Sequence, residues 1–410
     1  MTAKLDRRTF LAGTALAAAA TLPRPARAQA KPVRIGLLTV KTGPLAQGGI
    51  QMEQGTIRFL KDRNYTLAGR KVELVVADTG GNPAGTKTKT QELTERDNVD
   101  MIFGPLAAFE LLAITDYTAQ AKMPVLSLAA AEDMTQRRPN PYFIRASATS
   151  SQGMHALADY AAKELKYKRV ITLADDFAFG HEQMAGFQRV FEDAGGRVAK
   201  KLWPPLVTPD YAPYLAQISG AEAVVHGFAG SNPLKFMKQY KDQGLKLPVI
   251  AGAPAGDDAL LKSFGDEAVG MISSNFYSND FDTPSNKRLI DGMVRDYGNI
   301  PGTYSAGLYI AGMVAEAALE KTGGKTDDKE AFIKALRAVK LTDTPRGPFH
   351  FDHFGNVVGS FYIRKCERKG DKLVNTTVKA YPNVSQFWTY DEKWFLSQPV
   401  YSRDYPPLKT

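Results

Sequence analysis

Four places in the chain bring together residue types that could do chemistry. The stretch Gly80-Gly81-Asn82-Pro83-Ala84-Gly85-Thr86-Lys87-Thr88 approaches the glycine-rich loop that cradles phosphate on backbone N–H groups. Thr86 separates its last glycine from the lysine, and Pro83 removes one N–H, so a strand-to-helix turn is the better reading. His350 and His353 flank Asp352 at a spacing that could hold a metal ion. Phe349, Phe351 and Phe354 alternate with them and Gly355-Asn356 follows, which describes a solvent-facing hairpin strand and its turn. Asp175-Asp176 could pair as acid and base; with no His or Lys at a fixed spacing, Asp176 reads as a cap or as part of a cleft's mouth. Cys366 stands among Lys365, Glu367 and Arg368, a basic setting that lowers a thiol's pKa, yet as the only cysteine it forms no disulfide or cluster. The chain has no G-x-S-x-G elbow and no G-x-G-x-x-G turn. No catalytic constellation survives, no metal or cofactor is expected, and the residues point to binding instead of catalysis.

The elements that must position any site alternate. Apolar, β-branched runs at 33–40, 71–77, 100–103 and 124–129 read as buried parallel strands, with helical patterns at 45–63, 83–96 and 107–121 between them. Asn82 suits the N-cap before Pro83. A hydrophilic stretch at 149–153 precedes a second set, with strands at 169–174, 198–202, 223–227, 248–251 and 269–273. Its helices fall at 155–165, 181–193, 233–243 and 258–263, and helices at 286–297, 304–322 and 329–339 follow, then a hairpin region at 347–380. Such alternation predicts an α/β protein of two doubly wound, Rossmann-like lobes, with a ligand in the cleft beyond the carboxyl ends of the strands.

The 410 residues, 44% hydrophobic and 23% charged, suffice for two or three cores and exclude a disordered or collagen-like chain. Residues 1–30 hold Lys4, Arg7, Arg8, Arg24 and Arg27 against Asp6 alone, so about half of the net charge of +9 sits there. What remains is too little and too scattered for nucleic acid. Arg7-Arg8-Thr9-Phe10-Leu11, a short apolar run and Ala28-Gln29-Ala30 describe a twin-arginine export signal, cut before Lys31 or, alternatively, before Gln29. The apolar run is too short to span a membrane, so release into the periplasm is expected.

At this point the chain resembles the type I periplasmic solute-binding proteins of ABC importers, in the branched-chain amino-acid-binding (Leu/Ile/Val-binding) family. The motifs run in order: Ile35-Gly36, Thr42-Gly43-Pro44, Asp78 with Asn82-Pro83, Phe103-Gly104-Pro105, Pro124-Val125-Leu126-Ser127, Arg145, Ser150-Ser151-Gln152-Gly153, Asp175 through Phe179-Gly180, Phe228, Gly252-Ala253-Pro254 and Phe351-Asp352-His353-Phe354-Gly355. The resemblance implies a Venus flytrap of two lobes joined by three crossing strands, near 147–151, 277–282 and 349–359. It places 31–148 with 281–350 in the first lobe and 149–280 with 351–410 in the second. Its implied partners are a small-molecule ligand and an inner-membrane permease, the protein itself being a monomer that neither spans the membrane nor binds nucleic acid.

The departures from that family concern the ligand. Where amino-acid binders grip the carboxylate with Ser or Thr and the ammonium with Glu, this chain has Ala108 or Phe109, Ala130 and Ala253. An ammonium without a partner would cost several kcal/mol to bury. The expected lining is apolar and aromatic: Leu106, Ala107, Ala108, Phe109, Ala129, Ala130, Phe179, Phe228, Ala253, Pro254 and Tyr304. Gln47, His226 and Tyr304 are the expected hydrogen-bond partners for a ring substituent, and backbone N–H groups at Ala107-Ala108 and Ala130-Ala131 for a carboxylate. The aromatic tail at 381–407 looks like that of the subgroup taking up benzoates and cinnamates, and needs a surface, expected on the second lobe. A small aromatic carboxylate is the leading expectation; a branched-chain amino acid or amide, or a ligand-sensing module for a membrane receptor, are the alternatives.

Overall fold

The computed structural model describes residues 31–208 and 210–409; the export signal expected over 1–30 lies outside the described residues. The apolar run Val33–Thr39 forms β1, buried on nearly every residue, between β3 (Arg70–Asp78) and β4 (Met101–Phe103), both parallel to it. A short β2 (Thr66–Leu67) edges β3, and β5 (Val125–Ser127) and β6 (Phe143–Arg145) complete the order β2-β3-β1-β4-β5-β6. Helices α1 (Ala46–Asp62), α2 (Pro83–Gln91) and α3 (Ala108–Gln120) connect them. Asn82 Oδ1 accepts the Gly85 N–H at 2.8 Å, so the glycine-rich stretch serves as the capped start of α2.

The second sheet repeats the plan. α4 (Gln152–Lys163), β7 (Arg169–Ala174), α5 (Ala178–Asp193), β8 (Arg197–Leu202), β9 (Ala223–Gly227), α6 (Asn232–Asp242), β10 (Val249–Ala251) and β11 (Ile272–Asn275) follow in turn. The chain then returns through α7 (Pro284–Tyr297), α8 (Thr303–Lys321) and α9 (Lys329–Arg337), with α8 lying along α1. Short strands β12 (Lys340–Leu341), in the span expected for the first lobe, and β13 (Phe349–Phe351), at the expected third crossing, both pair into the second sheet. There β14 (Val357–Lys369) and β15 (Lys372–Val384) form a long antiparallel hairpin. The turn between β13 and β14 reaches back to β6, where the Arg145 N–H donates to Gly355 O at 2.9 Å. Sequence patterning missed β6 because three residues carry no period, and put the start of α4 three residues late because Gln152 and Gly153 read as linker.

Two fully buried arginines hold these connections. The Arg145 guanidinium donates to Ala129 O at 3.0 Å, Thr135 Oγ1 at 2.6 Å and Asn356 Oδ1 at 3.0 Å. Arg346 donates to Ala146 O at 2.9 Å and to Ser147 O. The tail packs on the second lobe as expected, through Tyr390 on Asp193 and Arg403 on Asp176. It also touches the first: Arg137 donates to Phe395 O at 2.8 Å and Gln398 O at 3.1 Å.

The other candidate motifs resolve into structure. Asp352 Oδ1 accepts the N–H groups of Phe354 and Asn356, closing the hairpin turn. Among the described residues no three His, Cys, Asp or Glu side chains converge as metal ligands. Asp175 and Asp176 point apart: Asp175 accepts from Ala229 N and Asn232 Nδ2, while Asp176 lies 2.7 Å from His181 Nε2, a partner five residues on that the sequence reading overlooked. Cys366 is buried in the core of the second sheet, and burial pushes its thiol up to about 11.

Candidate functional site

Between the lobes lies a cavity with about 70 Å³ open to the centres of water molecules. That is room on the order of five waters. Its walls come from the carboxyl ends of strands in both sheets, the position expected for open α/β sheets. From the first sheet come Leu106, Ala107 and Ala108 after β4, and Leu128 and Ala130 after β5, with Tyr304 from the start of α8. From the second come Phe177 and Phe179 after β7, Gln183 on α5, Ala229 after β9, and Ala253 and Pro254 after β10. Ser147, Thr149, Ser150 and Phe276 close it where the chain passes between lobes.

Eight expected residues line this space: Leu106, Ala107, Ala108, Ala130, Phe179, Ala253, Pro254 and Tyr304. Five do not. His226 and Phe228 are fully buried in the second lobe's own core, their rings 5.4 Å apart and packed on Phe236. The side chain of His226 turns towards α6 and away from the cleft, and burial pushes its pKa down to about 3, so the ring is neutral. Ala129 sits in the first lobe's core and offers its carbonyl to Arg145. Phe109 backs the wall, edge-on to Phe177 at 5.5 Å. Gln47 is off the cavity: from this segment Leu45, the N-cap of α1, reaches it, while Gly48 packs behind the wall, where a Cβ would meet Leu106 at 2.8 Å and Tyr304 at 3.0 Å. The Ala107 N–H, expected as a carboxylate anchor, is taken by Glu110 Oε2 at 2.8 Å, which caps α3 from within.

Phe177, Gln183 and the Ser147–Ser150 segment were missed. Phe177 is stacked on Phe179, centroids 6.0 Å apart, and its place two residues before an expected ring was the available signal. Gln183 donates to Gly227 O at 3.0 Å and sits one turn beyond Phe179 on α5. The Ser150 hydroxyl lies 2.5 Å from Glu182 Oε2, and its N–H donates to Ala130 O at 3.0 Å. Behind the wall, burial and the neighbouring Glu132 push the Glu182 carboxyl well up, and it accepts from both the Ser150 hydroxyl and the Glu132 N–H. No Asp, Glu, Lys, Arg or His is among the lining residues. The chemistry on offer is therefore burial of a small, largely apolar body, with hydroxyl, amide and main-chain groups for one polar end.

The lobes meet in front of the cavity. The Ser231 N–H donates to Pro44 O at 3.2 Å, and the Gly230 N–H reaches the Tyr304 oxygen. Gly230 has φ +59°, and a Cβ there would stand 2.0 Å from Pro44 O, so only glycine allows this approach.

Comparison with known proteins agrees with this architecture. The profile of the periplasmic binding protein family matches residues 32–371. A Leu/Ile/Val-binding protein homolog 6 of Brucella suis biovar 1 (strain 1330) is 29% identical over 375 residues, 88% of this chain and 93% of that one. A solute-binding protein of an ABC transporter from Rhodopseudomonas palustris BisB5, solved in complex with 3,4-dihydroxybenzoic acid, superposes with a TM-score of 0.82 at 31% identity, over 87% of this chain and 98% of the other. Another R. palustris solute-binding protein, solved with 4-hydroxybenzoate, gives 0.81 at 28% over the same shares. Family members bind solutes and do not transform them. With its two mostly parallel central sheets, each flanked by antiparallel strands, and a cavity at the strand ends, the chain belongs to the periplasmic binding protein family, as a substrate-binding protein of the ABC-transporter type.

Proposed function

We propose that the protein is exported to the periplasm and carries a small aromatic carboxylate to an ABC permease, the lobes closing over the ligand. One observation carries this reading: the cavity between the lobes has aromatic and alanine walls and no ionic side chain. A free amino acid brings an ammonium that would go unpaired there, at several kcal/mol. A benzoate-like ligand brings only a carboxylate, which the first-turn N–H groups of α3 and the Thr149 hydroxyl suit, and a ring that Phe177 and Phe179 suit. The solved relatives holding hydroxybenzoates support the same choice, whereas the names of the curated relatives favour leucine, isoleucine or valine. The export signal at 1–30 accounts for the location, and a monomer is sufficient because the cavity is complete within one chain.

The test is a thermal-shift screen of protein unfolded and refolded to strip carried-over ligand. The panel sets leucine, valine and glutamate beside benzoate, 4-hydroxybenzoate, phenylpyruvate and 4-coumarate. A ligand at 100 times its Kd stabilises by about 2.7 kcal/mol, a visible rise in Tm. The reading expects a rise with aromatic acids only. A rise with leucine and none with the aromatic acids overturns it.

A further inference from the structure

The N-cap of helix α8 is Gly302, a residue with no side chain to satisfy the first N–H groups of the helix. The missing cap comes from the other lobe. Asp257, in the loop after β10, accepts the Thr303 N–H at 2.8 Å and the Thr303 hydroxyl at 3.3 Å through Oδ1. Its Oδ2 accepts from Gln51 Nε2 of α1 at 3.4 Å. The carboxylate is fully buried, and a Cβ on Gly302 would stand 2.4 Å from both of its oxygens. The glycine is thus what lets a carboxylate from the second lobe sit on a helix of the first. Its neighbour Asp258 has a different task, pairing with Arg364 at 2.5 Å inside the second lobe.

We propose that Asp257 is the latch of the closed form, a positioning residue that retains ligand without touching it by capping α8 across the cleft. The contact shares its elements with the cavity. The loop carrying Asp257 also presents Ala253 and Pro254 to the ligand space, and Thr303 lies on the cavity wall beside Tyr304. The Asp257 N–H is tied to Pro254 O at 2.9 Å, so the latch and the wall move as one loop. Opening the lobes breaks the cap and leaves the start of α8 unsatisfied, which adds a barrier to release that is independent of the ligand's identity.

The experiment compares the wild type with Asp257→Ala, Asp257→Asn and Gly302→Ser. Two readouts need no ligand: amide hydrogen exchange over 302–306 and the radius of gyration from solution scattering. A third is the dissociation rate of 4-hydroxybenzoate and of leucine, each measured by stopped flow. The latch predicts faster exchange and a larger radius for Asp257→Ala. Dissociation should quicken about fivefold for whichever probe binds, with association little changed. Asp257→Asn, which keeps one acceptor oxygen, should recover much of the loss. Gly302→Ser supplies a cap from within the first lobe and displaces the carboxylate, so it should open the protein with the second lobe intact. Unchanged exchange, scattering and dissociation in Asp257→Ala and Gly302→Ser overturn the proposal. So does wild-type behaviour of Gly302→Ser beside melting of Asp257→Ala, because Asp257 would then serve only its own loop. Failure of the aromatic ligand alone leaves the leucine and ligand-free arms intact and is read separately.

Discussion

The second lobe carries two aromatic clusters of similar composition and opposite use. Phe177 and Phe179, after β7, stack on each other and face the cavity. Phe228, after β9, packs with His226, Phe236 and Tyr211 beneath the sheet and faces nothing but core. Both follow the carboxyl end of a parallel strand. The difference lies in what comes next: Phe177 is the N-cap of α5, a helix that starts at the cleft, whereas Phe228 is followed by Ala229-Gly230, and Ala229 takes the cavity wall. The first lobe answers the aromatic wall with small residues, Ala107, Ala108 and Ala130, which leave the space a ring would fill.

The sharpest way to break this comparison is Ala253→Glu, which sets an unpaired carboxylate in the ligand space. Binding of an anionic aromatic should fall by about 100-fold or more in calorimetric titration. Next, Phe228→Ala should cost about 3–5 kcal/mol of stability in urea unfolding, with affinity in the folded protein near wild type. Phe177→Ala should do the reverse, costing about 2 kcal/mol of ligand affinity with a smaller loss of stability. An affinity loss in Phe228→Ala equal to that in Phe177→Ala would erase the distinction. The buried cluster should also show in the pH dependence. His226 is held neutral in the folded protein, with its pKa at about 3, while the unfolded chain takes up a proton near 6.5. Its contribution is therefore complete at neutral pH and is lost as pH falls below 6.5, by about 2 kcal/mol at pH 5. His226→Leu should flatten that part of the acid unfolding curve, leaving the similar share of buried His155, whose pKa burial and Arg189 push down to about 3. Smallest, Tyr304→Phe removes the oxygen that meets the Gly230 N–H, and should weaken binding by about 1 kcal/mol.

Strand identity was legible because fully buried parallel strands read as continuous apolar runs, and the helix starting at Pro83 because Asn and Pro mark it. The alanines of the first-lobe wall were legible as departures from a resemblance, at positions where a family places hydroxyls. What sequence could not separate was inward from cleftward. His226 and Phe228 stand two apart near a strand end, where alternation says only that they share a face. Which face is decided by α6, whose Phe236 lies far enough along the chain to leave no local mark. Phe177 was lost for the converse reason, since a ring in the loop before a helix has no period to betray it. The link between Asp257 and Thr303 spans the cleft and 46 residues, and no pattern within either segment announces it.

The apolar walls of the cavity have a calorimetric consequence. Ligand entering this space removes water from carbon surface on both sides of the contact, so the heat capacity should drop on binding. The enthalpy of binding then becomes steadily more favourable with warming, and titrations at two temperatures will report different heats for the same set of contacts.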